Sequence, residues 1–444
     1  MAYDPLRAEL PRRPQAYPET YWLATAGEPP PDDGPLQGDH EVDVAIIGAG
    51  YTGLSCAYYL ARDYGVRATV LEANGPGWGC SGRNGSFARP AIGRLGYAQW
   101  IKRWGVDGAR AVFAEAHAAL NTVRDLIDTG NIDCDRQPDG WLKVAHRADK
   151  VAGLVADQKL LRDVFGYETE LLDSDALAKG YFRGGEAPAA LRFADAFAMH
   201  PLKFNYGLLR MARDAGARVH CQSPVMQWTR EAGRHLLKTP GGTVRARQVV
   251  IATNGYSTER LHPSLNGRMI PVLSNVVVTR PMTATEQAES GLLTTDVITD
   301  TRAVLNFYRR LPDGRVMLGS RGPIHESEGT LRQDRLLEMV GRKFPALRGI
   351  TADYCWGGWV ALTMDQIPHV SRTEDDPTVS YALGYNGSGV AAAPHAGRLL
   401  AGQIGGDRAI LPAIAGPLPR VPLAPFRRIG QRAAFVWFRL KDGR

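Results

Sequence analysis

The chain has 444 residues, 44% of them hydrophobic and 22% charged, with a formal net charge of +7. That is enough chain for two interleaved domains and rules out a disordered composition. Most of the charge is local: from Leu411 onward seven basic residues stand against Asp442 alone. The body is therefore close to neutral, which argues against a nucleic-acid-binding stripe.

No stretch approaches the roughly 18 consecutive apolar residues of a membrane span. Residues 1–40 form a leader rich in proline and charge, without the apolar run of a signal peptide. The five cysteines (Cys56, Cys80, Cys134, Cys221, Cys355) are scattered without CxxC spacing. We read them as reduced thiols of a cytoplasmic protein, with neither disulfide framework nor metal site.

The first chemical motif follows the apolar run 42–47, which has the pattern of a buried parallel strand. Gly48-Ala49-Gly50-Tyr51-Thr52-Gly53 comes next, then helical spacing over 54–61, then a second strand-like run, 68–71, ending at Glu72. This is the dinucleotide fingerprint. Gly48 permits the tight turn, Gly50 admits the pyrophosphate, and Gly53 lets helix and strand pack closely. Glu72, about 20 residues on, can bind a ribose hydroxyl.

The glycine-rich segment 75–85 contains Cys80, Ser81, Gly82, Arg83, Asn84 and Gly85. It reads as an extended loop passing a flat or anionic group, which favours FAD over NAD. A helix is expected over 109–127, and alternation predicts strands over 275–279 and 315–319. The β-branched run from Gln248 enters Thr253-Asn254-Gly255. Near the end, 379–383 leads into Gly384 and Tyr385, then Asn386-Gly387-Ser388-Gly389-Val390 and a helix over 391–400. This second strand–turn–helix unit can aim backbone N–H groups at a flavin pyrimidine edge.

These motifs, with Leu71-Glu72-Ala73 and Ser81 to Gly85, resemble the D-amino-acid oxidase/glycine oxidase superfamily of flavoproteins, and within it the γ-glutamylputrescine-oxidising branch. The likeness covers nearly the whole chain. It implies an α/β fold, with a Rossmann-like FAD domain built from discontinuous segments (41–94, 195–261, 344–405). An α+β substrate domain with an antiparallel sheet (95–194, 262–343) completes it, followed by a basic aromatic segment, 406–444.

The resemblance also implies hydride transfer from the carbon beside a small amine to the flavin. Dioxygen would be the acceptor, and the place in metabolism polyamine breakdown. Val225 and Gly358 complete the expected cofactor-binding set. Gly358 falls near the position where sarcosine oxidases tether FAD through cysteine, so noncovalent FAD is expected. Val360 falls where amino-acid oxidases carry an arginine for the substrate carboxylate. The oxygen-activating lysine of sarcosine oxidases has no match around Gly319 to Arg321.

Tyr308, Trp359 and His200 are the candidate catalytic positions. Tyr308 can hydrogen-bond the amine, and Trp359 with Trp356 can form an aromatic wall. His200, before Pro201, also suits a helix cap. Three alternatives remain: a dehydrogenase passing electrons to a quinone or carrier protein, an oxidase of an N-methylated amino acid or aminophosphonate, and a flavin-bound structural or tRNA-modifying protein. The neutral body disfavours the last. The C-terminal pattern Phe426, Ile429, Ala433, Val436, Trp437, Leu440 predicts a basic amphipathic helix. We expect its apolar face to dock on the protein itself rather than on a membrane.

Overall fold

The computed structural model describes residues 3–321, 333–406 and 408–443; Arg444 of the basic tail lies outside them. Two eight-stranded sheets organise the chain. The first has the order 369–372, 379–383, 242–251, 40–47, 69–71, 218–220, and an antiparallel pair, 234–239 and 227–231, extends it from 242–251. Its five strands from 379–383 to 218–220 run parallel.

The central strands read as continuous apolar runs because both faces are covered. Val44, Ile46, Val70 and Val250 are almost wholly buried under the helices Tyr51–Tyr64 and Gly389–Gly405. On the opposite face Ala45, Ile47, Val249 and Ile251 join a second apolar cluster.

The second sheet has the order 352–362, 270–279, 316–321, 306–310, 297–300, 141–144, 189–193, 170–173. It is mixed rather than purely antiparallel, since 297–300 runs parallel to 141–144. The strand Ala352–Leu362 pairs with Ile270–Thr279 in this sheet, although the sequence reading grouped 344–405 with the dinucleotide-binding segments. Its aromatic, alternating pattern suits a sheet whose faces differ, unlike the apolar parallel strands.

The helix expected over 109–127 is longer, Tyr97–Thr129, with a break at Gly105 (φ +69°). Segment 75–85 is not extended: it folds into tight turns with a single 3-10 turn at Cys80–Gly82.

The C-terminal helix, Arg427–Lys441, docks on the body but through its polar side, contrary to expectation. Arg427 pairs with Glu259 at 2.6 Å. Arg428 pairs with Asp4, donates to the Pro271 carbonyl and sits 5.3 Å from the Trp359 ring centre. Asp442 accepts the Ala303 and Val304 N–H groups at 2.8 and 2.9 Å. The carboxylates and backbone polar groups of the body take hydrogen-bonding partners from the polar side of the helix, which an apolar face cannot supply, so its apolar side is turned outward. Ile429 and Trp437 are left 66% and 65% exposed. Among the described residues no helix is long and apolar enough to cross a membrane.

Candidate functional site

Strand His40–Ile47 ends at Gly48, whose φ is +111° and whose added Cβ would lie 2.9 Å from the Ala252 carbonyl oxygen. One turn on, a Cβ at Gly53 would lie 1.9 Å from the Gly48 carbonyl oxygen. Both positions are therefore closed to a side chain, one by conformation and one by contact. Gly50 caps helix Tyr51–Tyr64 with no side chain of its own, leaving the positive helix end facing a cavity of about 480 Å³.

Glu72 lines that cavity. Its carboxylate accepts the Ala49 N–H at 2.8 Å and the Asn74 N–H at 2.9 Å. Burial raises its pKa, and the backbone N–H groups of Ala49, Asn74 and Ala73 oppose that rise. A carboxylate has about four acceptor sites, so capacity for a diol remains. A helix end for a pyrophosphate, a close backbone approach and a fixed acceptor for a ribose together fit a dinucleotide.

The segment after Glu72 forms the cavity's next wall. Asn84 pins it, donating to the Cys80 and Ser81 carbonyls (both 3.0 Å) and accepting the Ser86 N–H (2.7 Å). Ser81 accepts the Tyr51 N–H at 3.0 Å and so ties this loop to the first turn. Arg83 is held by the Trp78 carbonyl (2.7 Å) and lies 4.1 Å from the Trp78 ring centre.

The two later glycine turns meet here. Asn254 accepts the Gly384 N–H at 3.0 Å. Asn386 accepts the Thr363 N–H at 3.0 Å, and its own carbonyl takes a bond from Arg321 at 3.1 Å. The helix Gly389–Gly405 starts directly behind them.

Of the expected cofactor-binding positions, Gly48, Gly50, Tyr51, Thr52, Glu72, Ala73, Cys80, Ser81, Arg83, Asn84, Gly85, Val225, Thr253, Asn254, Gly358, Asn386, Gly387, Gly389 and Val390 line the cavity. Ala49, Gly53, Gly82, Gly255 and Ser388 do not; they shape the turns. Ser388 accepts the Gly93 N–H at 3.0 Å and donates to the Tyr385 carbonyl.

The structure does not bring Tyr308, Trp359 or His200 to the cavity wall. Side chains alternate along a strand, so a shift of one residue changes face. On Asn306–Arg310 it is Phe307 that faces the cavity. Tyr308 packs beneath it with Phe182 and Phe344, and the Lys343 ammonium lies 4.4 Å from its ring centre. On Ala352–Leu362, Gly358 and Val360 face the cavity, while Trp359 is fully buried and its indole donates to the Tyr3 carbonyl.

His200 is a helix cap: its Nδ1 accepts the Lys203 N–H at 3.2 Å, and its Nε2 meets Thr25 Oγ1 at 3.0 Å. Burial, then the charges of Lys203 and Arg309, push its pKa down to about 3. The unfolded chain, with histidine near 6.5, therefore binds one proton more between these values. This contribution to stability is complete above pH 6.5 and is lost as pH falls toward 3, at about 1.4 kcal/mol per pH unit. Urea denaturation across that range should show this acid slope. His200→Asn, which keeps a capping acceptor, should reduce the slope by that one proton.

Sequence reasoning missed several wall residues: Phe307, Arg321, Arg89, Arg94, Trp141 and Lys143. For Phe307 a signal existed in Gly85 and Gly319, where an added Cβ would meet the Phe307 ring at 2.5 and 2.0 Å. The others come from segments far apart in the chain. Among the described residues no cluster of three His, Cys, Asp or Glu side chains is placed to hold a metal ion.

A parallel sheet with this turn at its carboxyl edge, facing a second sheet across one long cavity, is the architecture of a dinucleotide-dependent oxidoreductase. The family model described as FAD dependent oxidoreductase, DAO, matches residues 43–403, and the chain belongs to that family. It is 31% identical to the γ-glutamylputrescine oxidoreductase of Escherichia coli (strain K12) over 438 residues, 95% of this chain and 98% of that protein. It is 29% identical to the probable oxidoreductase OrdL of Haemophilus influenzae, over 84% of this chain and 85% of that one. The solved glycine oxidase from Geobacillus kaustophilus shares the fold, with a TM-score of 0.68 at 19% identity over 86% of this chain and 99% of that one. The chain is thus an FAD-dependent oxidoreductase of mixed α/β fold.

Proposed function

We propose that this oxidoreductase oxidises the C–N bond of a small primary or secondary amine with a distal polar group, of γ-glutamylputrescine type, in preference to a free α-amino acid. The observation that carries this reading is Val360. It lies on the cavity wall at the position where the resemblance to amino-acid oxidases sets a carboxylate-binding arginine. Valine cannot form the bidentate pair that would anchor an α-carboxylate.

Gly48, Gly50 and Glu72 would hold the dinucleotide, and the Asn386–Val390 turn the ring edge. When bound, FAD would supply the hydride acceptor for the carbon beside the amine; water would hydrolyse the resulting imine to a carbonyl and release the nitrogen as ammonia or an amine, and dioxygen would take the two electrons with two protons to give hydrogen peroxide. Phe307 and Val360 would exclude water from the reacting carbon. We assign no protein base, because the step needs only a deprotonated amine and water can take that proton.

The cofactor is proposed to be noncovalent. Gly358 offers no thiol at the tether position. Cys80 donates to the Trp359 carbonyl, and burial pushes its pKa up to about 12, so it remains a thiol. Acid precipitation should release intact FAD to the supernatant. The unpaired cysteines suit a reducing compartment such as the cytoplasm.

Anaerobic flavin bleaching tests the substrate reading. Polyamine-derived amines should bleach the enzyme faster than glycine or D-alanine; rapid bleaching by those amino acids and by no amine overturns it.

One observation favours a second reading of the electron acceptor. Ile429, Val436, Trp437 and Leu440 point outward from a helix whose exposed positions include Arg432 and Lys441. An apolar face flanked by cations complements an anionic lipid surface. A dehydrogenase passing electrons to a membrane quinone predicts salt-sensitive sedimentation with phosphatidylserine-containing vesicles and little hydrogen peroxide. No sedimentation, with stoichiometric peroxide, excludes this reading.

A further inference from the structure

The cavity extends past the residues assigned to the dinucleotide and reaches the second sheet, where Trp141, Lys143, Thr299 and Asp300 form its wall. Arg89 stands at this end. It follows the short strand Phe87–Ala88, and its guanidinium carbon lies 5.1 Å from the Trp141 ring centre. Among the described residues Arg89 has no ion pair and no hydrogen bond.

Each neighbouring charge has a partner, a counter-charge or a backbone carbonyl. Lys143 pairs with Asp157 at 2.6 Å. Asp300 pairs with Lys343 and Arg302 at 2.9 and 2.6 Å. Arg94 donates to the Ala303 carbonyl at 3.0 Å, and Arg321 is bonded to Asn386. Among the described residues, Arg89 alone of these cavity-lining cations has neither a carboxylate nor a carbonyl partner.

An enclosed cation without a counter-charge is unfavourable, and a second cation beside it makes it more so. Burial lowers the pKa of Arg89 and brings that of Arg94 down to about 10, with the charge of Arg89 the next cause. A polypeptide that encloses two such groups and aligns one on an indole has a site suited to an anion.

We propose that Arg89, stacked on Trp141 and backed by Arg94, is a subsite for a carboxylate carried by the substrate at the end remote from the oxidised C–N bond. This rests on the amine-oxidising reading above and explains how an enzyme with Val360 could still select an acidic amine. The α-carboxylate arginine is absent from its strand, and the unpaired cation lies instead at the second-sheet end of the cavity. The planar fork of Arg89 suits a carboxylate in two-point contact.

The test uses the FAD-loaded enzyme and probes that do not react. Calorimetric titration with glutarate and with glutaramide is compared for the wild type, Arg89→Lys and Arg89→Met. Wild type is expected to bind glutarate at least tenfold more tightly than glutaramide. Arg89→Met should remove that preference, and Arg89→Lys should retain part of it. Flavin content and melting temperature should be unchanged, which separates a lost subsite from a lost fold or cofactor. Propylphosphonate in the same titration distinguishes a carboxylate from a phosphate-like group; tighter binding than glutarate overturns the assignment to carboxylate. Equal glutarate affinity in wild type and Arg89→Met, or no glutarate binding by wild type, overturns the subsite. Because the titration needs no turnover, a failure of amines to bleach the flavin would refute the amine reading and leave the subsite standing or falling by itself.

Discussion

Gly50→Val is expected to give protein that purifies without flavin. A Cβ at Gly50 would lie 2.8 Å from Ser81 Oγ, the atom that accepts the Tyr51 N–H and holds the 75–85 loop against the first turn. Valine adds two more methyl groups on the side where a pyrophosphate must approach the backbone. The substitution thus disturbs both the turn that would receive the phosphates and the loop beyond it. Gly50→Ala should lose less, because Ser81 is a small side chain that can give way. The flavin-to-protein absorbance ratio checks both variants. Loss of cofactor also removes its linked stabilisation, so Gly50→Val should melt lower than wild type even with free FAD present. Stoichiometric flavin in Gly50→Val would refute the assignment of this turn to the dinucleotide.

The second large effect is expected at Asp300. Its carboxylate is fully buried and bonded to Lys343, Arg302 and the Asn306 N–H. Burial alone would raise its pKa; Lys343 and Arg302 outweigh that and hold it at about 2. Asp300→Ala leaves Lys343, itself 2% exposed, without its main counter-charge. Breaking one side of a buried pair costs about 3–5 kcal/mol, and urea denaturation should show a loss of that size. Asp300→Leu combined with Lys343→Met removes both charges and should recover most of it, since apolar replacement of a buried pair is often neutral or better. The sign of the pH dependence follows from the depressed pKa. The contribution is complete above the ordinary aspartate value of about 3.9 and disappears as pH falls through about 2. A wild-type-like midpoint for Asp300→Ala would show that the cluster contributes little.

Exposed apolar side chains on Arg427–Lys441 illustrate a limit of periodicity. The sequence pattern correctly marks an amphipathic helix, because spacing defines its two faces. Which face meets the body depends on what the body offers. Here it offers Asp4, Glu259, the Pro271 carbonyl and the Ala303 and Val304 N–H groups, all from distant segments. Tyr308 and Trp359 illustrate the same limit within strands: alternation identifies two faces without saying which one borders the cavity.

What the sequence determined by itself is local. Gly48, Gly50 and Gly53 between an apolar strand and a helix, with Glu72 after the second strand, specify a dinucleotide turn, because the positive φ of Gly48 and the contact of Gly53 with the Gly48 carbonyl arise within one βαβ unit. The Thr253–Gly255 and Asn386–Val390 turns were legible for the same reason. The tertiary structure alone decided the rest of the cavity. It turned Phe307 inward over Gly85 and Gly319, and it brought Arg89 against Trp141 and within reach of Arg94's charge. Those encounters join the loop after the first nucleotide turn to the second sheet, and side-chain packing between remote segments leaves no periodic trace along the chain.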